Sequence, residues 1–128
     1  MPQRVTPYLF YRDAPAAIDF LTRAFGFVET YRYPMDDGRI GHAELGCGDG
    51  AVMLASEFEG FGQSPLDLPA VHGQTYCTVD DVDAHFARAR ANGATLTSEP
   101  ANQDGTRRYR AIDPEGHRWI FAQPLEHL

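Results

Sequence analysis

His42 and Glu44 stand two residues apart in Ile40-Gly-His-Ala-Glu-Leu45, so on an extended strand both side chains leave the same face. His72 precedes Gln74 by the same spacing. Two imidazoles and a carboxylate brought together could hold a divalent metal. The same spacing also describes polar residues on a solvated sheet face, and both readings stay open. The other reactive types offer less. Cys47 lies in a glycine-rich turn, and Cys77 alternates out of phase with Gln74 and Tyr76, as a small core residue facing a helix would. Neither has a base beside it. Gly46-Cys-Gly-Asp-Gly50 joins two strands, not a strand and a helix, so it is no phosphate loop. His85 falls in a helix of alternating polarity and reads as surface. His117 follows a turn and reads as a contact to solvent or backbone, and His127 is terminal.

The elements that must position these groups come in two copies. Gly26 and Gly93 lie 67 residues apart, as do Asp37-Gly38 and Asp104-Gly105, and Gly50 and Gly116 lie 66 apart. Asp13 recurs as Asp80 or Asp81. The same punctuation in the same order marks an internal repeat. In the first copy Val5–Tyr11 alternates as a strand. Asp13 then caps a helix over Ala14–Phe25, with Pro15 tolerated in its first turn and Gly26 ending it. Strands follow at Phe27–Pro34, Ile40–Leu45 and Ala51–Ala55, with turns at 36–38 and 46–50. The second copy reads as a strand at Gln74–Val79, a helix at Asp81–Asn92, and strands at Ala94–Ser98, Arg107–Ile112 and His117–Ala122. Val82, Phe86 and Ala89 should face inward. The expected class is α+β, two βαβββ modules over residues 1–56 and 72–128 joined by a linker or lid at 57–71. One helix covers only one face of a sheet, so the other faces should pair as a curved cup with helices outside.

Composition narrows the function. The chain has 128 residues, 11 basic and 18 acidic side chains and a net charge of −7, which disfavours nucleic acid. No apolar run approaches the roughly 20 residues a membrane span needs. Residues 1–7 lack the pattern of a signal peptide. Two cysteines make no framework, so a cytoplasmic location is expected.

Tyr11-Arg-Asp-Ala-Pro-Ala-Ala-Ile-Asp-Phe20 with Ala24-Phe-Gly-Phe27 resembles the first module of the vicinal oxygen chelate superfamily. Val79-Asp-Asp-Val82 with Ala91-Asn-Gly-Ala94 resembles its second module, and Asp113-Pro-Glu-Gly-His117 its final hairpin. That superfamily holds glyoxalase I, extradiol dioxygenases, fosfomycin-resistance enzymes and bleomycin-resistance proteins. The chain is most similar in length to the small glyoxalase-like and bleomycin-resistance-like branch. The resemblance implies a cup in which metal-using members gather four ligands. Carried over, those positions fall on Thr6, Leu54, Gln74 and Ile120, and only Gln74 has a competent donor. No cofactor is therefore expected, with a divalent metal on His42, Glu44 and His72 as the alternative.

Residues in phase with those positions would line the cup: Tyr8, Phe10, Val52, Leu54, Gln74, Tyr76, Thr78, Arg118 and Ile120. Phe58 and Phe61 of the linker could fold over the mouth, while Trp119, out of phase, belongs beneath the helix. An aromatic, largely apolar lining suits a flat small molecule, and Arg118 suits a carboxylate or a ring. Two functions remain: a metal-independent protein that binds and sequesters an aromatic drug or antibiotic, a cationic one matching the charge, and a metal-dependent lyase or dioxygenase with displaced ligands. A relative without any ligand is the third outcome. The resemblance implies a homodimer, with or without exchange of modules between chains.

Overall fold

The computed structural model describes residues 3–126, so His127 lies outside the described residues. The elements run β1 (Tyr8–Tyr11), α1 (Ala14–Phe25), β2 (Val28–Pro34), β3 (Ile40–Cys47) and β4 (Gly50–Ser56). After the linker come β5 (Gln74–Thr78), α2 (Val82–Ala91), β6 (Thr95–Leu96), β7 (Ala101–Gln103), β8 (Thr106–Ile112) and β9 (Arg118–Pro124). The first sheet has the order β1-β4-β3-β2 and the second β5-β9-β8-β6, with β7 also on β8. In each, the strand before the helix pairs parallel with the last strand, Tyr8 beside Met53 and Gln74 beside Arg118. The fold is α+β with two curved mixed sheets, and its repeat is the one read from the turns.

The caps act as their residue types require. Asp13 accepts from the Ala16 amide at 3.1 Å and Asp81 from Ala84 at 3.1 Å. Gly26 closes α1 at φ 74°, a left-handed conformation that costs a residue with a Cβ. Arg88 of α2 donates to the Arg23 and Thr22 carbonyls at 3.1 and 3.2 Å, placing positive charge at the negative end of α1. Two departures stand out. The first strand starts at Tyr8 and not at Val5, and the short polar edge strand β7 was not anticipated.

Each helix packs on one face of its own sheet, and the two helices also pack on each other. One core results. Phe25 sits at its centre, with ring centroids 5.7 Å from Trp119, 4.7 Å from Phe121 and 5.1 Å from Phe20. Val82 and Ala89 are buried, and Phe86 packs against the core beside Tyr109. The faces of the sheets away from the helices turn outward, carrying Tyr8, Tyr31, Tyr33 and Tyr76 at 42–58% exposure.

His85 belongs to this joint and not to the surface. Its Nε2–H donates to the Phe25 carbonyl at 2.8 Å, and its Nδ1 accepts from the Tyr109 hydroxyl at 2.5 Å. A carbonyl cannot donate, so Nε2 carries the proton, and Nδ1 accepts from the phenol only while the ring is neutral. Burial lowers the His85 pKa from 6.5, and burial raises that of Tyr109, which keeps its donor proton. Between the lowered pKa and 6.5 the unfolded chain binds more protons at this site than the folded one. The His85 contribution is therefore whole above pH 6.5 and is lost as pH falls below it. Urea titrations at pH 7.5 and 5.5 should show a pH loss that is smaller in His85→Gln; an equal loss in both proteins would place the pH sensitivity elsewhere.

The cysteines correct the sequence reading. Cys47, at the end of β3, and Cys77, in β5, are 30 residues apart in sequence and joined sulfur to sulfur across the two modules. Their Cα atoms are 7.6 Å apart, wider than the usual span of a disulfide. Cys77 does face the core side of its sheet, as its alternation requires.

Candidate functional site

The outward face of the first sheet is aromatic. Register places Tyr8 beside Met53, Met53 beside Glu44, Glu44 beside Tyr31, and His42 beside Tyr33. Partners in register share a face, so these side chains and Phe10 make one surface. Tyr8 lies 5.6 Å from Phe10 and 5.4 Å from His42, and Tyr31 lies 5.9 Å from His42, centroid to centroid. A polar chain runs through the rings. The Tyr8 hydroxyl and His42 Nδ1 are 2.8 Å apart, and His42 Nε2 and Glu44 Oε2 are 2.9 Å apart. The arrangement is satisfied when Nε2–H donates to the carboxylate and Nδ1 accepts from the phenol. Burial, and then the Glu44 charge, raise the Tyr8 pKa, so the phenol keeps its proton.

This face corrects the lining read from sequence. Leu54 pairs with Leu9, is fully buried and points to α1, as does Val52. Met53 takes the place expected of Leu54. The reason is physical: Ala51-Val-Met-Leu-Ala55 is apolar throughout and carries no alternation, and its phase is set by pairing with β1 and β3.

On the second sheet the expected phase is the observed one. Gln74 lies beside Arg118 and Tyr76 beside Ile120, on the outward face, while Trp119 is buried among Phe25, Phe27 and Phe121. Sequence reasoning missed Arg108 and Arg110, which share this face because Arg110 pairs with Ile120 and Arg108 with Ala122. It also missed Tyr31 and Tyr33. In both cases alternation about a neighbouring candidate was the available signal. His72 lies in a groove with Gln74 and Arg118, away from His42 and Glu44.

The linker crosses the first face. Phe58 and Gly62 close a small antiparallel bridge, and Gly62 lies on the ring of Phe10. Phe58 sits 4.5 Å beneath the Arg39 guanidinium, and Phe61 is 84% exposed. Gly62 of the linker thus lies on the aromatic face, while Phe61 stands in solvent. A Cβ at Gly62 would come within 2.2–2.5 Å of Phe10 ring atoms. Gly62→Ala should lower stability by about 1–3 kcal/mol in thermal unfolding, as overpacking does. An unchanged melting temperature would mean the bridge does not rest on Phe10.

The hairpin Asp113–His117 is hydrogen-bonded to the rest of the chain. Buried Asp113 accepts from Tyr11 Oη at 2.5 Å, Trp119 Nε1 at 3.1 Å and the amides of Glu115 and His117, both at 3.1 Å. Glu115 accepts from the Arg12 and Asp13 amides at 2.5 and 2.7 Å and from Ser64 Oγ at 2.5 Å. His117 Nε2–H donates to the Phe10 carbonyl at 2.8 Å, the backbone contact anticipated for it. The hairpin therefore fastens the second module to the start of α1 and to the linker. Arg12 strengthens that corner through Glu57 at 3.0 Å and through Asp67.

The sequence profile of the Glyoxalase/Bleomycin resistance protein/Dioxygenase superfamily matches residues 3–121. The chain belongs to this superfamily. An uncharacterized protein of Mycobacterium tuberculosis is 36% identical over 129 residues, covering 97% of this chain and 76% of its own. The crystal structure of TioX from Micromonospora sp. ML1 is 34% identical with a TM-score of 0.78, covering 98% of this chain and 99% of its own. Glyoxalase I from Zea mays, at 23% identity and a TM-score of 0.76 over 97% of this chain and 45% of its own, shares the fold. Superfamily members bind small molecules.

The metal that the superfamily implies does not fit the residues at the carried-over positions. Thr6 is half-buried ahead of β1, Met53 offers a thioether, Gln74 an amide and Ile120 nothing. His42 and Glu44 do meet, but both ring nitrogens of His42 already have partners. Among the described residues no three of His, Cys, Asp and Glu gather as a metal set. No helix among them is long and apolar enough to cross a membrane.

Proposed function

We propose that this superfamily member binds and sequesters a small aromatic molecule, a drug or antibiotic, without a metal, in the manner of the bleomycin-resistance branch. One observation carries the reading: Tyr8, Phe10, Tyr31 and Tyr33 stand together on an open sheet face, three of them 42–58% exposed. Solvated rings at this density cost hydration free energy and suit stacking on a flat partner. Micromolar binding requires about −8 kcal/mol, within reach of several stacked rings. The −7 net charge supports a cationic ligand, with Glu44 as the counter-charge on this face. A second copy of the chain would close the open faces into a cup, making a homodimer.

The test is calorimetric titration with planar aromatic natural products in the presence of EDTA. Binding that survives the chelator and weakens about tenfold in Tyr8→Ala supports the reading. Binding or turnover that appears only with an added divalent ion overturns it.

A further inference from the structure

The arginines are distributed unevenly. All 11 basic side chains are arginine. Arg12, Arg23, Arg32, Arg39 and Arg107 pair with carboxylates, and Arg88 caps α1. Of the other five, Arg4, Arg90, Arg108, Arg110 and Arg118, the last three share the outward face of the second sheet. None of the three has a carboxylate within 4.0 Å among the described residues. Arg108 and Arg110 are two apart on β8, and Arg118 is diagonal to Arg110 on β9. Such neighbours are roughly 7–8 Å apart, and like charges there repel. A chain with 18 acidic residues had counter-charges to spend and placed none of them here.

The polar groups converge on one opening. Arg110 and Arg118 line a groove of about 440 Å³ with His72 and Gln74. Arg118 is in register with Gln74, so a guanidinium fork and an amide stand side by side. Ile120, between Arg110 and Tyr76 in register, sets an apolar residue beside the groove. Tyr76 is 51% exposed, and the Arg108 guanidinium lies 5.9 Å over its ring. Guanidinium groups bind the oxygens of carboxylate and phosphate in a bidentate manner, and the ring offers a stacking surface beside them.

We propose that this second face is an anion subsite, built on Arg110 and Arg118 with Gln74, for a ligand that joins an aromatic ring to a carboxylate or phosphate group. The proposal rests on the reading that the protein binds aromatic small molecules, and it replaces the cationic ligand suggested by net charge. Net charge sums the whole surface, whereas a bound group feels the charges within about one Debye length, roughly 8–10 Å.

The experiment titrates ¹⁵N-labelled protein with 2-naphthoate and 2-naphthyl phosphate. The neutral 2-naphthol and the cationic 2-naphthylmethylammonium serve as counterparts, and Arg Nε–Hε resonances are followed. At least one anion should bind about tenfold tighter than the neutral ring, the worth of one charge-assisted hydrogen bond. It should shift the Arg110 and Arg118 signals and lose its advantage in Arg110→Met/Arg118→Met, which keeps the aliphatic stems. Should that variant not fold, Arg118→Gln alone should show the same loss. Comparing the two anions identifies the preferred group. Equal affinity for all four probes would overturn the subsite and leave aromatic binding standing. Tighter binding of the cation would do the same. Failure of every probe to bind would overturn both.

Discussion

Asp113→Ala should cost about 3 kcal/mol or more of folding stability, because it strands buried donors that nothing else can satisfy. The carboxylate holds Tyr11 Oη, Trp119 Nε1 and two backbone amides, and Asp113, Tyr11 and Trp119 are each at most 3% exposed. Water cannot replace the lost oxygens without opening the joint. Tyr11 ends the first strand of the first module, and Trp119 lies in the last strand of the second, so the loss falls on the contact between modules. Burial, and then the Asp113 charge, push the Tyr11 pKa well up, which keeps the phenol a donor at any working pH. Asp113→Asn retains one acceptor oxygen and should lose less than Asp113→Ala, while Tyr11→Phe, which removes one donor, should lose about 1 kcal/mol. Urea unfolding followed by circular dichroism measures all three. A loss below about 1 kcal/mol for Asp113→Ala would mean these hydrogen bonds are replaced by solvent and the hairpin is not a fastening.

The hairpin also shows why the fold was easier to read than the site. Turns leave marks in sequence, since positive φ at Gly26, Gly93, Gly105 and Gly116 demands a particular residue. Those marks carried the repeat and the order of elements. Strand phase leaves a mark only where polar and apolar residues alternate. In Gln74–Thr78 the small Thr75 and Cys77 alternate with Gln74 and Tyr76, and those two were placed on the right face. Ala51–Ala55 has no alternation, and Leu54 was placed in the cup when it lies under α1. The short strand Ala101–Gln103 is polar and exposed, with no pattern to find. Contacts between modules left no local trace. His85 looked like a surface residue because its partner, the Phe25 carbonyl, is 60 residues away. Cys47 and Cys77 looked independent for the same reason. The arginine face was half visible: Arg118 was singled out, but its meaning depends on Arg110 of the neighbouring strand.

Phe25→Ala tests where the helices sit, and with them the ligand faces. Phe25 is 2% exposed and packs edge-on against Phe20, Phe27, Trp119 and Phe121, from both modules. Removing a phenyl ring from such a core typically costs about 3–5 kcal/mol, through lost burial and the cavity left behind. Neighbouring aromatic rings are stiff and collapse poorly into the space, which favours the upper end of that range. A domain of this size has only about 5–15 kcal/mol in total, so the midpoint of unfolding should fall steeply. The proposed ligand faces lie on the other side of both sheets, with no ring of Tyr8, Tyr31 or Tyr76 in contact with Phe25 among the aromatic pairs described. Below its melting temperature the variant should therefore bind planar aromatic probes within about threefold of the parent, a difference of roughly 0.6 kcal/mol. Trp119 emission should change strongly on the substitution, since its ring loses a neighbour 5.7 Å away. Trp119 also lines the groove of Arg110 and Arg118, so a ligand seated in that groove should change its emission as well. If Phe25→Ala abolished binding while remaining folded, the binding cavity would lie between the helices and the sheets, and the outward faces would not be the site.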